Sequence, residues 1–275
     1  MKYTVLSLFP EITDSFFAAS IMAKAINRGI VAYRSVNIRD FAQDKHHTCD
    51  DAPYGGGAGM LMLTEPLALA LESVGVRPRL PPAKDSREAA ASPDTAALPE
   101  TAGRRVIYLS PSGRPFTQAL AEELAAEEEL VLLCGRYEGI DQRIIDLYVD
   151  DEISVGDYVL SSGETAALVV IDATYRLVDR VIKPESLEEE SFSGNLLEYP
   201  QYTRPEIYGT LQVPEILLSG HHENIRRWRR RKQVEKTLAL RPDLIRQGEA
   251  LGLFDTETSN LIEELRGRDE RNTGD

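Results

Sequence analysis

The chain has 275 residues, 42% of them hydrophobic and 28% charged, enough to bury a sizeable core spread over two domains. No apolar run approaches the length of a membrane span, and the opening MKYTVLSLFPE is too short and wrongly flanked for a signal peptide. The formal net charge of −14 disfavours a nucleic-acid partner on its face, but where the positive charges sit governs such binding. Two cysteines, Cys49 and Cys134, offer no disulfide framework and suit a reducing cytoplasm, the expected location. The four histidines come as adjacent pairs, His46-His47 and His221-His222, whose members point apart, so no metal site is expected.

In chain order, Tyr3 to Phe9 reads as a buried strand ended by Pro10. A helical stretch follows, with Met22, Ala25 and Ile26 on one face and Gly29 as its stop. Val31 to Asn37 alternates as a second strand, and residues 38–60 then carry no period at all. A loop of that length in a compact domain is usually functional or disordered, and Gly55-Gly56-Gly57-Ala58-Gly59 forms its tip. The tip is no Walker loop, since Met60-Leu61 follow it rather than Lys and Ser or Thr. Thr64 to Val74 is helical. From about residue 76 to 105 the composition turns to Pro, Ala, Ser, Asp and Glu and reads as a flexible surface insert.

Arg105 to Leu109 resumes as a strand that runs into Ser110-Pro111-Ser112-Gly113, and Thr117 to Glu128 is an Ala/Glu/Leu helix. The next stretch, CGRYEGIDQRIIDLYVDDEISVGDYVLSSGE, dominates the chain. Leu130 to Cys134 is a strand stopped by Gly135, Ile140 to Leu147 is a helix, and a short strand near Ile153 stops at Val155-Gly156. Ser161-Ser162-Gly163-Glu164 then opens a helix running to Tyr175-Arg176. Strand ends with glycine loops are where α/β proteins bind ligands, because backbone groups can approach closely there. Residues 183–195, KPESLEEESFSGN, read as an interdomain linker. Beyond it come turns, a long helix from His221 to about Leu240 broken at Arg241-Pro242, a final helix over Asn260 to Leu265, and a frayed end.

The segments PYGGGAGM, GRYEGID, VGDYVLSSGE and YTRPE, in this order along the chain, resemble the bacterial tRNA (guanine-N1)-methyltransferases of the SPOUT superfamily. The resemblance covers nearly the whole chain outside the insert. It implies an α/β fold with a deep trefoil knot over residues 1–182 and a smaller, mainly helical tRNA-binding domain over 196–275. It also implies methyl transfer from S-adenosylmethionine to N1 of the guanine at position 37 of tRNA, by a homodimer whose active site draws on both subunits. Ala58 and Ser162 stand where the family commonly has proline and glycine.

For the cofactor, the resemblance implies Tyr108, Leu109, Pro111 and Gly113 from one loop, and Gly135 and Glu138 from the next. Ser154, Val155, Gly156, Tyr158, Leu160 and Gly163 come from the third. The general base falls on Glu190 of Glu190-Ser191-Phe192, where the family carries aspartate, with Glu189 as the neighbouring carboxylate. Arg176 would contact the target nucleotide and steady charge on guanine O6. Ser191, Arg226, Arg227 and Arg230 would contact tRNA. Independently of the resemblance, Arg226, Arg227, Arg229, Arg230, Arg231 and Lys232 form a run without an acid, which suits phosphate contacts because they cannot all pair within the run. A Rossmann-type methyltransferase is the competing enzyme class, disfavoured by the missing glycine fingerprint after the first strand. A non-catalytic protein binding S-adenosylmethionine and RNA is the other alternative.

Overall fold

A computed structural model describes residues 1–79, 103–183, 187 and 189–272. The chain divides into two compact units, Met1–Ile182 and Lys183–Asp275. Residues 80–102 of the expected insert, and 184–186 and 188 of the expected linker, lie outside the described residues.

The first unit is built on a parallel five-stranded sheet in the order β2-β1-β6-β5-β7. Its strands are β1 (Lys2–Ser7), β2 (Ala32–Asn37), β5 (Arg104–Pro115), β6 (Glu129–Cys134) and β7 (Asp151–Ser154). β6 is buried along its whole length, as expected of a central parallel strand covered on both faces. Period-two alternation divides the side chains between two cores. Leu6, Val106, Tyr108, Val131 and Leu133 face α3 (Thr64–Ser73) and α5 (Gln142–Tyr148), whose Leu67, Leu71 and Ile144 join that core. Tyr3, Val5, Ile107, Leu130, Leu132 and Ile153 face the other way. They meet residues of α1 (Glu11–Phe17), α2 (Ser20–Asn27), α4 (Gln118–Ala125) and α6 (Gly163–Tyr175). Truncating one of these leucines to alanine is expected to cost about 2–5 kcal/mol.

Four expectations change here. The first helical stretch is two helices, because the chain breaks at Ala18-Ala19 and Ser20 takes φ 52°. Residues 38–60 are not structureless: Ile38–Phe41 form a 3₁₀ turn, and β3 (Asp50–Asp51) pairs antiparallel with β4 (Leu61–Met62). Ile38, Cys49 and Met62 anchor this excursion in the core, and apolar residues spaced so widely give no period to read. The strand expected to end at Leu109 continues to Pro115. Leu109 and Arg114 both pair with Ile153, so the intervening residues form a bulge within β5. Residues 76–79 belong to the first unit: Val76 is buried, and Arg79 donates to the carbonyls of Leu147 and Val149 and pairs with Asp150.

The second unit has its own small core of Leu196, Val234, Ile245, Ile262 and Leu265. It comprises the hairpin β8 (Ile207–Tyr208) and β9 (Leu211–Gln212) and the helices α7 (Glu215–Leu218), α8 (His222–Leu240), α9 (Pro242–Ala250) and α10 (Thr256–Asn272). α9 is not evident in the sequence, although Pro242 is well placed at the start of a helix. The end of the linker segment is held to this unit. Asn195 Nδ2 donates to the Leu244 carbonyl on α9, and just beyond the linker Leu197 N–H donates to Thr237 Oγ1 on α8 and Leu196 is buried.

Candidate functional site

Three strand ends meet at one open cleft of the first unit, with a cavity volume of about 170 Å³. Tyr108 to Pro111 come from the bulge of β5, Gly135 to Gly139 from the turn after β6, and Ile153 to Ala166 from the loop after β7 and the start of α6. Of the residues expected to hold a cofactor, all except Gly113 line it. Gly113 lies where an added Cβ would come 2.5 Å from the backbone of Glu152 and Ile153. Its lack of a side chain lets β5 cross β7 closely.

Two further glycines set the shape of the floor. A Cβ on Gly163 would sit 2.7 Å from Gly135 N and 2.8 Å from Cys134 Cα, and Gly163 N–H donates to the Gly135 carbonyl at 2.9 Å. The helix α6 therefore starts directly against the end of β6. A Cβ on Gly156, at φ 153°, would collide with the Tyr158 ring, whose hydroxyl donates to the Val155 carbonyl. Ser154 Oγ completes this loop by donating to the Gly156 carbonyl at 3.1 Å. Tyr108 lies against Gly135 and Gly139. Burial, reinforced by the Glu152 charge, raises its phenol above the ordinary value, so it serves as an apolar wall with a neutral hydroxyl. Burial, with Glu164 adding to it, pushes the Cys134 thiol well above its usual value, which leaves it no role as a nucleophile.

The glycine-rich tip reaches the same region. Glu138 N–H donates to the Met60 carbonyl, and a Cβ on Gly59 would clash with the Glu138 carboxylate. Sequence reasoning did not include Arg136 among the lining residues, although it sits in the same turn as Glu138. It also had no means of finding Ser7, Phe9 and Glu164 behind that turn. The Arg136 guanidinium lies over the Phe9 ring at 4.4 Å, and the fully buried Glu164 accepts from Ser7 Oγ at 2.5 Å. Ser7 and Glu164 are 157 residues apart, and only the sheet brings them together.

Arg176 follows the last residue of α6 and is half-buried. Glu190, Ser191 and Phe192 belong to the second unit. The Glu190 carbonyl accepts from Ser193 N–H, Ser191 Oγ accepts from Glu198 N–H at 3.0 Å, and Phe192 is held at φ 75° with 44% of its surface exposed. The neighbouring carboxylate is differently placed: Glu189 accepts from Tyr199 Oη at 2.5 Å and from Arg229 Nη1 at 3.2 Å.

The basic run of α8 is more neutralised than its sequence suggests. Arg226 and Arg227 pair with Glu223 and Glu257, Arg231 with Glu235 and Glu264, and Lys232 with Glu235. The run holds no acid of its own, and these partners lie one helical turn away on α8 or on α10. Arg230 pairs with no described acid, though its charge helps hold the Asp255 carboxyl low. Exposed pairs of this kind are worth about 0–1 kcal/mol, so a phosphate can displace them cheaply. Among the described residues, no group of three or more His, Cys, Asp or Glu is arranged to hold a metal ion, and no helix is long and apolar enough to cross a membrane.

Comparison with known proteins gives a concordant result. Residues 1–247 match the family described as tRNA (Guanine-1)-methyltransferase TrmD. A protein of Treponema denticola named tRNA (guanine-N(1)-)-methyltransferase is 58% identical over 265 residues, 96% of this chain and 99% of that one. Proteins of the same name from Treponema pallidum and Borreliella burgdorferi are 52% and 56% identical, covering 96% and 89% of this chain and 96% and 92% of their own. The chain belongs to the tRNA (Guanine-1)-methyltransferase TrmD family.

Proposed function

We propose that the chain transfers a methyl group from S-adenosylmethionine to N1 of the guanine at position 37 of tRNA. The observation that carries this reading is a single cleft, formed by three glycine-bearing strand ends, in a member of this family. Relatives named for methylation of guanine N1 support it. The cleft suits the cofactor: Leu109, Val155 and Leu160 offer apolar contact, close-set backbone offers hydrogen bonds, and Glu138 offers a carboxylate to an ammonium. The close crossings at Gly113 and Gly163 support reading this unit as the deep trefoil knot of SPOUT enzymes.

When bound, S-adenosylmethionine supplies an electrophilic methyl group on a sulfonium. Neutral guanine carries a proton on N1 and attacks poorly until a base removes it. Glu190 would take that proton, leaving N1 free to accept the methyl group that the bound donor would supply. Arg176 steadies the negative charge spread onto guanine O6. Arg226, Arg227 and Arg230 meet phosphates and Ser191 meets the target region, positioning the RNA without reading its sequence. The chain works in the cytoplasm as a homodimer whose active site combines residues of both subunits.

The test uses purified protein, labelled S-adenosylmethionine and unmodified tRNA transcripts carrying guanine or adenine at position 37, read by nucleoside analysis. N1-methylguanosine is expected from the guanine transcript alone. Cofactor binding without any methylated guanine would overturn the proposal in favour of a non-catalytic RNA-binding protein.

A further inference from the structure

Among the described residues that line the cleft, only Arg136 and Glu138 carry charge, two positions apart in one turn. The amino-acid end of the methyl donor likewise carries one cation and one anion. Glu138 answers its ammonium, and Arg136 is the complementary group for its carboxylate. The support behind Arg136 is unusual. Its guanidinium rests on the Phe9 ring at 4.4 Å, and its Nε lies 3.8 Å from Glu164 Oε2. That separation is an ion pair without a hydrogen bond, and both atoms are buried with no hydrogen-bond partner among the described residues. The other oxygen, Glu164 Oε1, accepts from Ser7 Oγ, which in turn accepts from Phe9 N–H at 2.8 Å. Ser7 therefore links the carboxylate behind Arg136 to the ring beneath it.

Buried charge left half-satisfied is costly. An acid at the start of α6 needs no such arrangement merely to favour the helix dipole. A bare arginine in this wall would also repel a ligand whose sulfonium and ammonium outnumber its carboxylate. With Glu164 behind it, the trio of Arg136, Glu138 and Glu164 has one net negative charge, complementary to the ligand's one net positive charge. We propose that Arg136 binds the carboxylate of the donor's methionine part. Glu164 is the positioning residue that holds Arg136 against Phe9 and balances its charge. The inference rests on reading the cleft as the S-adenosylmethionine site.

The test is calorimetric binding to the full-length protein of three ligands: S-adenosylmethionine, its decarboxylated analogue, and methylthioadenosine, which lacks the amino-acid end. Wild-type protein is expected to bind the decarboxylated analogue about tenfold or more weaker than S-adenosylmethionine, the worth of a charge-assisted contact. Arg136→Gln is expected to weaken S-adenosylmethionine by about 10–100-fold while changing the decarboxylated analogue by no more than about twofold. Glu164→Gln is expected to show the same selectivity at about 3–10-fold, and Arg136→Lys to fall between wild type and Arg136→Gln. Equal weakening of all three ligands would reduce the cluster to a structural role and overturn the proposal. Should the variants fail to fold, equal wild-type affinity for the first two ligands would overturn it and the expected difference would uphold it. Wild-type protein that binds methylthioadenosine but not S-adenosylmethionine would sink the donor reading itself, a result distinct from either.

Discussion

The two ends of the one parallel sheet are built differently. At the amino ends of the strands, Glu129 accepts from Thr4 and Arg104 and pairs with Lys2, while Arg105 pairs with Glu123 and Asp151. Nearly every charge there has a partner. At the carboxyl ends, Gly139 and Gly156 take positive φ, Tyr137 is held at φ 56°, and the buried Arg136 Nε and Glu164 Oε2 lack hydrogen bonds. Ion pairs dominate one end, while the left-handed Tyr137 and the buried Arg136–Glu164 pair mark the other, where ligands of open α/β sheets bind.

The sharpest way to break this contrast is to fill the carboxyl end. Gly163→Ala places a methyl against the backbone of Cys134 and Gly135, and interiors this tightly packed do not yield freely. S-adenosylmethionine binding by calorimetry is expected to fall about 100-fold or more. Unchanged binding would mean that the crossing is looser than the geometry indicates.

Glu129→Gln probes the amino end. Burial opposes ionisation of Glu129, but the contacts from Lys2, Thr4 and Arg104 outweigh it and hold its carboxyl below the usual range. Such a group contributes stability above its unfolded pKa and loses it as pH falls through the lower folded value. The variant is expected to lose about 2 kcal/mol near neutral pH, with cofactor binding intact. Urea unfolding should show the difference shrinking towards zero in acid. A loss of cofactor affinity as large as that of Gly163→Ala would erase the distinction between the two ends.

The helix α8 sharpens the comparison from outside the sheet. It is as heavily ion-paired as the amino ends, but its pairs are exposed: Arg226 and Glu223 each keep about half of their side-chain surface in water. Pairing marks a structural region only where water is excluded. Arg226→Gln is therefore expected to change stability by less than about 0.5 kcal/mol. It should lower the slope of tRNA affinity against salt by about one, as for one lost phosphate contact. Filter binding across a salt series reads that slope, and an unchanged slope would take Arg226 out of the interface.

Local signals explain what the sequence could show. Gly135, Gly156 and Gly163 were legible because each follows or precedes an apolar run of clear length, and a glycine at a strand end implies close approach. Ser7, Phe9 and Glu164 were not, because their meeting depends on which strands are neighbours rather than on spacing. The partners of α8 were hidden for the same reason: Glu257 and Glu264 lie 31 and 33 residues beyond the arginines they pair with. Residues 183–195 read as linker because they are polar and acidic, yet Glu189, Ser191 and Asn195 are fastened to the second unit. One buried leucine just after an acidic stretch is too faint a signal to read.

The central claim is that the cleft holds the donor while Glu190 does the chemistry. Single-turnover methyl transfer to a guanine-37 transcript by Glu190→Gln, alongside calorimetric binding of S-adenosylmethionine, tests it most directly. Cofactor affinity is expected to stay at the wild-type level while the transfer rate falls about 10²–10⁴-fold, the worth of a general base. Transfer at the wild-type rate would contradict the account and remove Glu190 from the reaction.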